Sequence, residues 1–256
     1  DKTGRWVVAC NYTSGSVSVF PVLADGSLGA TTSIMQHQGS GPNTTRQKSP
    51  HVHCTIFSAD NLFLFVPDLG IDKIMIYAFD AVTGNLTPSR QPFAQSHGGA
   101  GPRHFCFHPA GKFAYLMEEL SGTVVGFTYK NGKLKQIQRI SSMPAADTGF
   151  AGSADIHVSP DGKFLYASNR ANSNTIAIFK IDQNNGTLKL AGHQSTLVKT
   201  PRNFNFDPTG NFLLVANQNS DEIVVFKIDK GTGLLTDTKQ RIKVGNPVCI
   251  KWITDD

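Results

Sequence analysis

Residues Val158–Lys189 read VSPDGKFLYASNRANSNTIAIFKIDQNNGTLK: a Pro-Asp-Gly turn, an apolar run, a polar corner, an alternating run ending at Phe179, and an Asn-Gly turn before Leu188. Short β-branched and aromatic runs separated by turn residues are strand signals, and no 3.6-residue periodicity with helix caps competes with them. Alone, this stretch predicts only a pair of hairpins. What decides the fold is that the chain repeats it.

The copies are DKTGRWVVACNYTSGSVSVFPVLADGSLG from Asp1, FSADNLFLFVPDLGIDKIMIYAFDAVTGNLT from Phe57, FHPAGKFAYLMEELSGTVVGFTYKNGKLK from Phe107, and FDPTGNFLLVANQNSDEIVVFKIDKGTGLLT from Phe206. Their turn positions, Gly4, Asn61, Gly111, Gly162 and Gly210, are spaced by 57, 50, 51 and 48 residues. Asn61 can replace glycine there because asparagine tolerates a positive φ better than other side chains. The long first interval holds an insertion from Gln36 to Pro50, rich in Gly, Ser, Thr and Pro.

Each unit has room for four short strands; in the third these are Phe105–His108, Phe113–Met117, Val124–Tyr129 and Lys135–Ile140. Four antiparallel strands every ~50 residues is the size of a β-propeller blade, whereas β-helical coils need far shorter repeats. The expected architecture is therefore all-β: a single propeller domain over 1–256, with about five blades of four antiparallel strands. The units run over 1–35, 51–97, 101–144, 153–198 and 200–244, with a closing strand over 246–253. The first copy begins at its turn and so lacks an innermost strand. The segment around Pro247, aligned with Pro102 and Pro201, reads as the start of another unit.

Composition narrows the function. The net charge is +5, from 24 Lys and Arg against 19 Asp and Glu, and the basic residues do not gather into runs interleaved with aromatics. That argues against nucleic acid and for a small anionic ligand. No apolar run approaches the ~18 residues of a membrane span. The four cysteines have no CxxC spacing; Cys10, Cys54 and Cys106 sit in apolar runs and read as reduced core residues, which favours a cytoplasmic setting. Nothing here assigns an oligomeric state.

In a blade, the innermost strand starts at one rim of the channel and the second strand returns to it. Six residues before the turn proline stand His53, Arg103, Ala154 and Arg202; five before stand Cys54, His104, Asp155 and Asn203. Seven residues after the turn glycine stand Asn11, Asp68, Glu118, Asn169 and Asn217; eight after stand Tyr12, Leu69, Glu119, Arg170 and Gln218. Ionisable side chains thus collect at both lips of one rim, where binding residues usually gather. Arg103, Arg170 and Arg202 can clamp carboxylate or phosphate bidentately. Glu119, His53 and His104 are the candidate acid–base groups. His51, His157, Asn217 and Gln218 complete the candidate binding residues. An ion pair that merely pins Arg103 to Glu119 is the competing reading, and asparagines recurring at blade corners are turn-formers as readily as ligands. His51 and His53 share a strand face and would begin a zinc site, but no further Cys/His pair has ligand spacing, so no metal is expected.

The segments QHQGSGPNTTRQKSPH, PHVH, GPRHFCFHPAGKFAYLMEEL, ADIHVSPDGKFLYASNR and TPRNFNFDPTGNFLLVANQNSD together resemble the lactonase propeller family, over essentially the whole chain. That family includes bacterial cycloisomerase-type 6-phosphogluconolactonases and the fungal 3-carboxy-cis,cis-muconate lactonising enzyme. The resemblance implies a seven-bladed parent, a hydrolase acting without metal or organic cofactor on 6-phosphogluconolactone, and a site at His53 (or His51), Arg103 and Glu119. It leaves two alternatives: lactonisation of a carboxymuconate, and a non-catalytic propeller that binds a ligand or protein at its rim.

Overall fold

The computed structural model describes residues 1–253, so the last three positions of the 1–256 domain lie outside the described residues. Among the described residues, nineteen strands form five antiparallel sheets. The first has three strands, β1 (Trp6–Asn11), β2 (Ser16–Pro21) and β3 (Ser33–Gln36). The other four have four each. They comprise β4 (Ile56–Phe57), β5 (Phe63–Asp68), β6 (Lys73–Asp80) and β7 (Asn85–Gln95); and β8 (Pro102–Phe107), β9 (Phe113–Glu118), β10 (Thr123–Lys130) and β11 (Lys133–Ser141). Then come β12 (Ile156–Val158), β13 (Phe164–Asn169), β14 (Thr175–Ile181) and β15 (Leu188–Ser195); and β16 (Pro201–Phe206), β17 (Phe212–Asn217), β18 (Glu222–Ile228) and β19 (Leu235–Lys243). Each sheet is a meander in chain order, and one 3-10 turn, Gln218–Ser220, is the sole helical element among the described residues.

The core lies between the sheets, which explains why second strands read as unbroken apolar runs. In β13, Phe164 and Tyr166 pack with Phe204, Phe206 and Val215 of the following sheet. Leu165 and Ala167 of the same strand pack with Tyr115 and Met117 of the preceding one. Successive side chains point to opposite faces, and both faces are covered, so no polar alternation remains. The hairpin glycines belong to the same packing. Gly186 has φ +74, and a Cβ there would collide with the ring of Phe113 in the neighbouring sheet. The carbonyl of Gly186 also accepts the Tyr115 hydroxyl, at 2.9 Å. Asn61 has φ 61, as its replacement of a turn glycine requires.

One expectation changes. Residues 246–253 form no strand: Ile250 N donates to Asn203 Oδ1 (2.7 Å), Asn205 Nδ2 donates to Ile250 O (3.0 Å), and Trp252 Nε1 donates to Phe206 O. The segment lies along β16 through side chains rather than a backbone ladder, and β1 pairs with β2 alone among the described strands. The cysteines are free, as expected; Cys10, Cys54 and Cys106 are partly buried against the core, whereas Cys249 is exposed. Cys10 lines one cavity, Cys54, Cys106 and Cys249 another, and burial pushes the Cys54 thiol up to about 12.

Candidate active site

Two local irregularities aim the key arginines. Pro102 pairs with Glu118 and His104 with Met117, so Arg103 is the extra residue of a bulge; Pro201, Arg202 and Asn203 repeat this against Asn217 and Ala216. A bulge frees a residue from the ladder and re-aims its side chain. Both guanidiniums thereby reach the rim from strands whose regular alternation places the next residue, His104 or Asn203, in the channel.

At that rim is a cavity of about 330 Å³ lined by Cys10, Tyr12, Arg46, Val52, His53, Glu119, Arg170 and Arg202. Glu119 is its hub. Oε1 receives Arg46 Nη2 at 2.6 Å, and Oε2 receives Arg103 Nε at 3.0 Å and Arg170 Nη2 at 3.1 Å. Burial alone would raise the Glu119 carboxyl, but Arg103, Arg170 and Arg46 outweigh it and hold it below the ordinary value. The carboxylate is therefore ionised and three of its roughly four acceptor positions are taken by guanidiniums, which suits holding them better than abstracting protons.

Arg103 lies beneath the cavity rather than in its lining. It is 1% exposed, and its Nη1 donates to the Ala154 carbonyl of the next blade at 2.7 Å. Burial, with the nearby Arg170, lowers its pKa to about 10 despite Glu119. The Arg103–Glu119 pair lies within one blade, whereas Arg103 to Ala154, Arg170 to Glu119 and Arg46 to Glu119 each join it to another part of the ring. Arg170 is also fixed by Nε donating to Gly152 O. Arg202 has no hydrogen bond or ion pair to protein among the described residues.

His53 faces the cavity with its Nδ1 buried and unpartnered. Burial, then the charges of Arg103, His104 and Arg202, drive its pKa far down, so the ring is neutral at neutral pH. Its ring meets that of His104 edge to face, centroids 5.3 Å apart.

The other candidates lie elsewhere. His104 and His157 line the channel, in a second cavity of about 520 Å³, where Nδ1 of His104 and Nε2 of His157 contact the two oxygens of Asp155 at 2.7 and 3.1 Å. His51 stacks on Tyr12 with centroids 4.5 Å apart, outside the cavity lining. Asn217 is buried at a corner, donating to Val215 O, and Gln218 opens the 3-10 turn. The reason is alternation. The side chains seven after each turn glycine point to the blade corners, where Glu118 holds Arg139 and Asn169 holds Ser142 and Ser153. Of those eight after, Tyr12, Glu119 and Arg170 point to the mouth, whereas Leu69 is buried and Gln218 is turned away by the 3-10 turn.

Sequence reasoning missed Arg46, Tyr12 and Asp155 as site residues. Tyr12 and Asp155 stood in the counted registers, so their signal was present. Arg46 comes from the Gln36–Pro50 insertion, which lies outside the repeat and has no sibling from which to infer its direction.

Known proteins resemble this chain along nearly its whole length. Residues 1–252 match the family described as lactonase, 7-bladed beta-propeller. A 6-phosphogluconolactonase of Formosa agariphila is 40% identical over 256 residues, 99% of this chain and 72% of that protein. One from Bacillus subtilis is also 40% identical, over 99% and 71%. The solved periplasmic gluconolactonase PpgL of Pseudomonas aeruginosa superposes with a TM-score of 0.93 at 39% identity, over 98% of this chain and 71% of its own. These shares are about what five blades make of seven. With the repeated blades, the arginine-ringed mouth and a family match from end to end of the described chain, this protein belongs to the lactonase seven-bladed β-propeller family.

Proposed function

We propose that the chain is a 6-phosphogluconolactonase, a metal-independent carboxylic ester hydrolase that opens 6-phosphogluconolactone to 6-phosphogluconate in the pentose phosphate pathway. The observation that carries this reading is the charge of the rim cavity: Arg46, Arg170 and Arg202 converge on it, with Arg103 behind, against one carboxylate, Glu119. Such an excess suits a substrate that brings its own negative charge. The relatives named 6-phosphogluconolactonase, aligned over nearly the whole chain, support the same substrate.

The residues divide the chemistry as follows. A water beside His53 attacks the lactone carbonyl carbon while the imidazole takes its proton. Burial first, and then the field of Arg103, His104 and Arg202, keep His53 neutral; an anionic substrate offsets that field, so the ring gains basicity when substrate is bound. The carbonyl oxygen becomes an oxyanion facing Arg202 and Arg170. Collapse breaks the bond to the ring oxygen, which receives the proton from His53, and the new acid ionises. Glu119 and Arg103 act as positioning residues. The free thiols fit a reducing compartment, and a cytoplasmic setting is part of the proposal. The test is proton release from 6-phosphogluconolactone by the chain and by His53→Gln: the reading expects rapid turnover that falls at least ~100-fold in the variant, and equal rates would remove His53 from the chemistry.

A further inference from the structure

Beyond the rim cavity lies a smaller one of about 290 Å³, lined by Arg46, Glu119, Phe150, Gly152, Arg170, Ala171 and Thr200. The two share Arg46, Glu119 and Arg170, so this row of charges is a common wall. Their other linings differ in kind. The first holds His53 and Arg202, which the hydrolase reading uses. The second holds no titratable group beyond the shared row, and a half-exposed aromatic ring, Phe150.

Arg46 is the most open of the three arginines bound to Glu119: its side chain is 34% exposed, against 14% for Arg170 and 2% for Arg103. Only its Nη2 is engaged, with Glu119 Oε1 and, at 3.4 Å, the Tyr12 hydroxyl. A guanidinium has five N–H donors in a planar fork, so the Nε–H and Nη1 donors remain for a ligand. The loop that carries it is not loose. His37 Nδ1 meets Asp68 Oδ2 at 2.6 Å, both buried. The next residue, Gln47, is fully buried and donates to Leu69 O and Asp72 Oδ1, both at 2.8 Å. The free edge of Arg46 is therefore presented at a fixed place between two cavities.

We propose that Arg46 is the specificity residue of this site, the group that reads the exocyclic phosphoryl of the substrate. The lactone ring occupies the cavity of His53 and Arg202, and the phosphoryl-bearing arm reaches the second cavity, where Arg46 receives it. Phosphate oxygens can accept from the Nη1 and Nε–H donors of Arg46 that the protein leaves free, and Phe150 covers the carbon chain. This rests on the hydrolase reading and adds to it the residue that separates a phosphorylated from an unphosphorylated lactone.

The test compares kcat/KM for 6-phosphogluconolactone and for glucono-1,5-lactone in the chain and in Arg46→Gln. The expected result is a preference for the phosphorylated substrate that shrinks at least tenfold in the variant, with Arg46→Lys in between because it keeps the charge and loses the fork. Calorimetric titration with inorganic phosphate gives a readout independent of turnover, with binding at least tenfold weaker in either variant. A preference that survives in Arg46→Gln, with both lactones slowed by one factor, overturns the assignment, as does unchanged phosphate binding. Hydrolysis of neither lactone by the unaltered chain would instead overturn the hydrolase reading beneath it.

Discussion

Arg103 and Glu119 stand sixteen positions apart and meet side chain to side chain, Nε to Oε2 at 3.0 Å, with neither side chain more than 4% exposed. A buried pair of this kind is costly to break from one side, because the remaining charge is stranded. Glu119→Gln strands three guanidiniums at once. It is expected to lower stability by about 3–5 kcal/mol, read as a shift in the urea midpoint, and to weaken turnover because Arg46, Arg103 and Arg170 lose their common anchor. A variant as stable as the parent would show that the arginines are held by other means.

Arg202 offers the contrast. It lines the same cavity but has no protein partner among the described residues. Arg202→Gln should therefore change stability by no more than about 0.5 kcal/mol, yet raise KM for an anionic lactone about tenfold or more. Parallel melts and kinetics check this, and a large loss of stability would mean that Arg202 is structural.

His53 gives a pH signature. Its pKa is lowered on folding by burial and neighbouring cations, and that of His104 is lowered in the same sense. Below the unfolded histidine value of ~6.5 the unfolded chain gains protons that the folded chain refuses. Stability should therefore fall as pH drops from about 7 towards 5, by up to about 1.4 kcal/mol per pH unit for each such group. Removing one of them in His53→Gln makes the slope shallower, measured by urea unfolding across that range. Identical slopes would contradict the assigned neutral state.

Asp155 is the buried acceptor of the channel, contacting His104, His157 and Asn203 and accepting from the amide of Phe204. The two histidines outweigh burial and hold its carboxyl far below the ordinary range. The stability this gives is present above the unfolded value of ~3.9 and is lost as pH falls further. Asp155→Asn should cost about 3 kcal/mol or more at pH 7, with the gap between variant and parent closing below pH ~4. A constant gap through acid would show that packing, not charge, is at stake.

The fold was legible because repetition multiplies a weak signal. One copy of a turn, an apolar run and a Gly-Leu hairpin is ambiguous, but repeats of about 50 residues leave little besides blades. The register count placed Tyr12, Glu119 and Arg170 at the mouth correctly, since a strand's alternation is a local rule. It also put Arg103 and Arg202 at that rim, but it did not show the bulges that turn those side chains out of register with their neighbours. Arg46 reaches Glu119 from an insertion whose path is set by buried tethers at His37 and Gln47, not by any periodicity. Asn217 was the one corner asparagine counted among the binding candidates, and it turns inward because positions seven and eight of the strand point to opposite faces.

The most direct test of the central claim is the rate at which the purified chain opens 6-phosphogluconolactone, followed by proton release and compared with Arg202→Gln and His53→Gln. The account predicts saturable hydrolysis well above the spontaneous rate, with KM raised by the arginine change and kcat lowered by the histidine change. Hydrolysis no faster than in buffer alone, or turnover indifferent to both substitutions, would contradict it.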